Sequence, residues 1–142
     1  MEFCEIIFDS DLFKEAIELR QNILRDPLGL NLYDEGIDDE HGQLHFGLLE
    51  ENSLVACLAI TPLSDTHVRL RQMAVKEDMQ RSGLGSQLIS AVEKHLEGIG
   101  LKKFELNARI EAIPFYTKLN YEKSGEEFNE VGIPHIKMIK TV

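Results

Sequence analysis

The chain is poor in cysteine, in positive charge and in long apolar runs, and each shortage excludes something. Its two cysteines, Cys4 and Cys57, both fall in apolar, strand-like stretches. They predict buried free thiols, not a disulfide framework or a metal site. Lys and Arg number 15 against 25 Asp and Glu, a net charge of -10, and phosphate backbones need clustered cations, so no nucleic-acid partner is expected. No apolar run approaches the roughly 20 residues of a membrane span, and "MEFCEIIFDSD" lacks the basic-then-apolar layout of a signal peptide. A cytoplasmic protein with no membrane partner is therefore expected. Repeats and low-complexity tracts are also missing, and 142 residues, 43% of them hydrophobic, suit a single domain over residues 1–142 around one core.

The charge that is present is unevenly spread. Asp34 to Glu51 holds seven acids and no Lys or Arg, whereas the stretch opening at Thr66 holds Arg69, Arg71, Lys76 and Arg81 against Glu77 and Asp78. The second region suits an anionic cofactor. The first is either a solvated loop or a surface for a cationic acceptor.

Periodicity places the elements. "FCEIIF" (Phe3 to Phe8) predicts a buried strand, and Asp9, Ser10 and Asp11 offer caps for a helix with apolar positions from Leu12 to Leu24, ended by Pro27 and Gly29. Leu28 to Gly42 has no sustained period and predicts a loop with one helical turn, of a length that often carries function. "LHFGLLE" and "LVACLAIT" flank Glu51-Asn52-Ser53 as a hairpin, and "HVRLRQMAV" is the next strand. A helix with Leu84, Leu88, Ala91, Val92 and Leu96 on its core stripe follows. "KKFELNA" predicts another strand, Pro114 opens a short helix, Asn120 stands where a left-handed residue is wanted, and Tyr121 starts the last strands, including one at "IPHIKMIK".

The chemistry concentrates between Val68 and Val92, "VRLRQMAVKEDMQRSGLGSQLISAV", where a strand runs through a glycine turn into an amphipathic helix. Gly83 and Gly85 let the backbone approach an anion closely, and the helix aims free N–H groups and its positive dipole end at it. The turn predicts a seat for a phosphorylated cofactor. It is no Walker loop, because Ser86-Gln87 and not a Lys-Ser/Thr pair follows Gly85. It is a poor dinucleotide fingerprint, because Leu88 occupies the third small-residue position. A cluster of Asp38, Asp39, His41 and His45 is interrupted by Gly42, and no metal site is expected.

Gln80-x-x-Gly83-x-Gly85 after a strand ending Met73-Ala74-Val75, with "NARIEAIPFYTKLNY" downstream, resembles the GNAT superfamily of acetyl-CoA-dependent N-acetyltransferases. The resemblance is strong over the second half of the chain and extends to the first half only in the order of elements. "EVGIPHIKMIK" is similar to the ending of small bacterial members whose acceptor is unassigned. The resemblance implies an α/β (α+β) fold with a mixed, mostly antiparallel central sheet, flanked by helices and splayed between its central strands. By the same resemblance the pantetheine arm of acetyl-CoA pairs with Met73, Ala74 and Val75, and the pyrophosphate sits on Gln80, Arg81, Ser82, Gly83, Leu84, Gly85 and Ser86. Tyr116 aligns with the tyrosine that protonates the departing thiolate, and Asn107 could hold the cofactor arm or a water. Tyr116 could equally be packing, and Asn107 an ordinary strand end.

The acceptor side reads less clearly. Family members often carry a Glu on the strand that here runs from Arg69 to Val75, and this chain has no carboxylate there. His45 and His135 are candidate bases, since histidine exchanges protons near neutral pH, though each also suits a structural role. Glu105 is a further candidate, but strand alternation points it away from the cleft. The expected function is transfer of an acetyl group from acetyl-CoA to a primary amine of a small-molecule or peptide acceptor, by direct attack in a ternary complex. The alternatives are a non-catalytic acyl-CoA-binding or sensing domain and an interaction module using the acidic stretch. Charge alone suggests a cationic acceptor, and an open sheet edge suggests a homodimer.

Overall fold

Seven strand-forming segments join in one sheet. The computed structural model describes residues 1–142. In chain order the elements are β1 (Glu2–Glu5), α1 (Asp11–Arg20), β2 (Leu44–Glu50), β3 (Ser53–Pro62), β4 (His67–Val75), α2 (Leu84–Glu97), β5 (Lys103–Arg109), α3 (Ile113–Lys118), β6 (Glu122–Glu130) and β7 (Ile133–Thr141). The seven strands lie in the order β1-β2-β3-β4-β5-β7-β6. Every neighbouring pair is antiparallel except β4 and β5. Those two are joined by α2, the crossover that a parallel pair requires. The fold is the mixed, mostly antiparallel sheet flanked by helices that the sequence implied.

Period-two alternation sorts the sheet into two faces. Val68 and Leu70 of β4 with Phe104 and Leu106 of β5 pack against Leu88, Val92 and Leu96 of α2. On the opposite face Cys57 and Ala74 meet Phe13, Ala16 and Ile17 of α1. Arg69 and Arg71 of β4, alternating with Val68 and Leu70, stay half-buried on the α1 side.

Three segments differ from the sequence expectation. β1 stops at Glu5, not Phe8, because the chain turns at Asp9 (φ +64°) so that Ser10 can cap α1, accepting from the Phe13 N–H at 3.2 Å. α1 runs on into a wide π turn, Gln21–Arg25, which carries Arg25 inward. The expected loop from Leu28 to Gly42 is a string of 3-10 turns, Asp26–Leu28, Leu32–Glu35 and Ile37–Gly42. Leu32 and Ile37 are buried with the α1 core and hold it down. At the far edge β6 carries Glu122, Glu126, Glu127 and Glu130 and a register shift between Ser124 and Phe128, which repel and misalign a second strand.

Candidate active site

β4 and β5 hold together over three residue pairs and then part. His67, Val68 and Arg69 pair with Lys103, Phe104 and Glu105; beyond them β4 follows β3 and β5 follows β7. A bulge bends β4 at the opening, since Gln72 and Met73 together face Leu58, with Gln72 at φ +51°. The gap continues into a cleft of about 210 Å³ whose walls include Met73, Leu106, Asn107 and Tyr116. The strands are splayed, as the sequence implied.

The glycine turn stands just beyond the end of β4. The Gln80 side chain donates to Val75 O at 3.0 Å, and the Ser82 hydroxyl donates to Met79 O, so the turn is tied to the strand. Arg81 (φ +65°) and Gly83 (φ +86°) are left-handed, and Gly83 begins α2 with no side-chain cap. The N–H groups of Arg81, Ser82 and Gly83 meet no backbone acceptor, and those of Leu84, Gly85 and Ser86 are first-turn donors without intrahelical partners. The chain thus presents a continuous run of unpaired donors. The Gln80 N–H is not among them, since it donates to Glu77 O. Gly85 matters for space: a Cβ there would lie 3.3 Å from Met73 Cε and 3.3 Å from Phe115 Cζ.

Tyr116 projects from α3 into the gap, wedged edge-on against Phe115 at 5.0 Å and Tyr121 at 6.1 Å. Burial pushes its phenol up to about 12, partly offset by the charge of Arg109. The hydroxyl is therefore protonated throughout the working pH range. Tyr121, in contrast, is committed to the core, where its hydroxyl donates to Glu93 Oε2 at 2.7 Å.

Charged side chains crowd the α1 side of the sheet, with Arg25, Glu35, Arg69 and Arg71 on the cleft wall and Arg20 and Glu40 buried off it. Arg20 is buried and forks onto both oxygens of Glu40 at 2.9 and 2.7 Å, and its Nε donates to Gln72 Oε1 at 2.9 Å. Burial pushes Glu40 up, but the Arg20 hydrogen bonds and charge outweigh it and hold the carboxyl below its usual value. Arg25 forks onto Glu35 at 2.6 and 3.0 Å. Arg69 donates to Glu105 at 3.1 Å, and Lys137 and His67 crowd the same carboxylate. Arg71 has no acidic partner: its Nη1 donates to the neutral Gln43 side chain at 2.7 Å.

These placements sort the sequence candidates. Met73 and Asn107 line the cleft with Tyr116, and Ala74 turns its side chain into the α1 core. Asn107 Nδ2 reaches Glu130 at 3.5 Å. His45 lies off the cleft, 3% exposed, edge-on to Phe13 and 3.4 Å from Glu40 O; burial holds its pKa below the usual value. Glu105 is enclosed by its ion cluster and off the cleft walls. His135 is buried behind Glu130, with Nδ1 2.7 Å from Ile133 O and Nε2 3.5 Å from Glu130. Sequence reading missed Arg71, Gln72 and Glu130 as cleft residues. It grouped Arg69 and Arg71 with an anionic cofactor, but alternation turns both to the α1 side, away from the helix that the glycine turn begins. Of the acidic stretch, read as a solvated loop or a surface for a cation, Glu35 and Glu40 are taken up by Arg25 and Arg20.

A sheet opened at its middle, with a protonated phenol on the gap wall and a run of free amides at its mouth, defines a transferase that takes an extended donor between two strands. Comparison with known proteins gives the family. The description "Acetyltransferase (GNAT) domain" matches residues 26–142, and the chain belongs to that family: it is an acetyl-CoA-dependent N-acetyltransferase. The uncharacterized N-acetyltransferase YitI of Bacillus subtilis (strain 168) is 30% identical over 136 residues, covering 91% of each chain. A crystal structure of an aminoglycoside 6'-N-acetyltransferase complexed with coenzyme A superposes with a TM-score of 0.81 at 17% identity, over 99% of this chain and 97% of that one. A GNAT family acetyltransferase from Elizabethkingia anophelis with acetyl-CoA bound gives 0.75 at 15% identity, over 99% and 97%.

Proposed function

We propose that the acetyl group passes directly from acetyl-CoA to a primary amine while both are bound. The observation that carries this reading is the β4–β5 gap, which has Tyr116 on its wall and unpaired amides at its mouth. The pantetheine arm enters along Met73, Ala74 and Val75. The pyrophosphate rests on the amides of Arg81 to Ser86, with the Arg81 guanidinium beside it. Gln80 serves this seat through its side chain, by fastening the turn to β4. Asn107 lines the path and positions Glu130.

In the chemical step the amine nitrogen attacks the thioester carbonyl, the C–S bond breaks, and the thiolate takes the Tyr116 proton. In water a thiol titrates near 8.5, so a phenol at about 12 would give up its proton at a cost of about 5 kcal/mol. The developing thiolate forms beside Tyr116 in the cleft, and burial raises a thiol in the same direction as a phenol. Partial burial of the thiolate narrows that difference, which favours transfer concerted with C–S cleavage. The proton lost by the amine goes to Glu130, which lines the cleft. His135 stands behind Glu130: with Nδ1 donating to Ile133 O, the neutral ring turns its Nε2 lone pair to the carboxyl and can accept from it once Glu130 has taken the amine's proton. His45 has no part in this scheme, because its ring is enclosed by α1 and Glu40.

The test is initial-rate kinetics by thiol release, with both substrates varied. Intersecting double-reciprocal lines are expected. Parallel lines would mean an acetylated enzyme and would overturn direct attack. Glu130→Gln should lower kcat on the order of 10²-fold without weakening acetyl-CoA binding.

A further inference from the structure

Of the three arginines on the cleft wall, Arg25, Arg69 and Arg71, only Arg71 has no carboxylate against it. Arg25 has Glu35 and Arg69 has Glu105; Arg20, buried off the wall, has Glu40. Arg71 is half-buried on the cleft wall, and its only hydrogen-bond partner is the amide oxygen of Gln43. Arg20 and Arg69 add their positive charge to its surroundings, and Glu40 and Glu130 act on it only at a distance. A desolvated guanidinium without a counter-ion is costly unless something supplies one. Its free edge presents two parallel N–H donors, the geometry that a carboxylate accepts. The wall holds two carboxylates, and Arg25 grips Glu35. Glu130 is the one that no arginine or lysine neutralises.

We infer that the acceptor is a small zwitterionic amine of the α-amino acid type, its carboxylate held by Arg71 and its amine directed at Glu130. This rests on the transferase reading above and specifies its acceptor. Arg71, without a carboxylate, and Glu130, half exposed and met only by Asn107 and His135 at 3.5 Å, are of opposite sign, as the two ends of such a molecule require. A polyamine or aminoglycoside would bring further cations against Arg71 and no carboxylate for it, so that like charges repel and the guanidinium stays without a counter-ion. The cofactor cannot supply the counter-ion through its pyrophosphate, because the glycine turn begins the helix on the other face of the sheet. At about 210 Å³ the cleft is also smaller than pockets for drug-sized ligands, which run from about 300 Å³ upward.

The experiment measures thiol release from acetyl-CoA with the common L-α-amino acids, each beside its carboxamide and its decarboxylated amine, and with spermidine and kanamycin. For the preferred amino acid, kcat/KM should exceed that of its amide by on the order of 10- to 100-fold, mainly through KM. Arg71→Gln should bring the acid-to-amide ratio close to one, and Arg71→Lys should keep part of it. That ratio is a readout that general damage to the fold does not move. An amide, decarboxylated amine or polyamine used as well as any free acid would overturn the inference, and so would an unchanged ratio in Arg71→Gln. Failure of the transferase reading is separate: calorimetry would then show no acetyl-CoA binding, or no amine would release thiol. In that event the Arg71 site is read by calorimetric titration with N-acetyl-amino acids against their amides. Equal binding of the two, or acid-selective binding that survives Arg71→Gln, would overturn the inference.

Discussion

In the proposed mechanism Tyr116 matters for chemistry, whereas the placement of Arg20 makes it matter for stability. Tyr116 sits in the gap with its phenol pushed up to about 12, so it enters every turnover protonated. Tyr116→Phe keeps the ring and its packing on Phe115 and Tyr121 and removes only the proton. We expect kcat to fall on the order of 10²-fold, with the calorimetric affinity for acetyl-CoA and the melting temperature nearly unchanged. Arg20 behaves in the opposite way. Its side chain is 1% exposed and joins α1 to Glu40 and to the bulged Gln72. Arg20→Met leaves the Glu40 carboxylate buried without its partner, which costs about 3–5 kcal/mol. Adding Glu40→Gln should recover much of that loss, a coupling that a double-mutant cycle of thermal unfolding measures.

At the scale of elements, the junction of β4 and α2 matters most. Arg81 is a non-glycine residue at φ +65°, a conformation that costs about 1 kcal/mol relative to glycine. Arg81→Gly relieves that strain and removes a cation beside the pyrophosphate seat. The melting temperature should hold or rise while the affinity for acetyl-CoA falls several-fold; parallel losses would place Arg81 in a structural role only. Gly83, at φ +86°, is a poorer probe, since any side chain there strains the turn whether or not phosphate binds. Gly85→Ala pushes on Met73 and Phe115, flexible side chains that can yield, so its effect should appear in KM for acetyl-CoA before it appears in stability. Much of this region was legible in sequence. A glycine turn between a strand and an amphipathic stripe has few other realisations, and Asn120 (φ +72°) took the left-handed position foreseen for it. The bulge at Gln72 and Met73 was not legible, because no glycine marks it. Long-range contacts hold it, Leu58 opposite and Arg20 on the Gln72 side chain.

For the whole molecule, buried ionisable groups set the response to acid. Burial holds the folded His45 pKa below 6.5. Below about 6.5 the unfolded chain therefore takes up a proton that the native state refuses, and stability declines as pH falls toward the folded value. Glu40 and Glu105 have folded pKa values below 4.5, because the ion pairs to Arg20 and Arg69 outweigh burial. Their contribution is present above about 4.5 and is lost as pH falls through those lower values. The melting temperature should be level above neutrality, decline from about pH 6.5, and drop steeply below about 4.5. His45→Gln should flatten the first decline and leave the second. A profile flat down to pH 4 would show that these groups titrate alike in both states.

By itself the sequence determined the order of elements, the two-faced sheet and the glycine turn at the start of α2. These follow from local rules: period-two and period-3.6 burial, caps, and the backbone freedom of a glycine turn. Tertiary structure alone decided which charges remain available. Seven acids in one stretch read as a solvated loop or a surface for a cation; folding set two of them, Glu40 and Glu35, against Arg20 and Arg25 and left Arg71 on the cleft wall without a carboxylate. A charge is neutralised by what lies within a few ångströms of it, and that distance is set by how strands and helices pack, not by position along the chain.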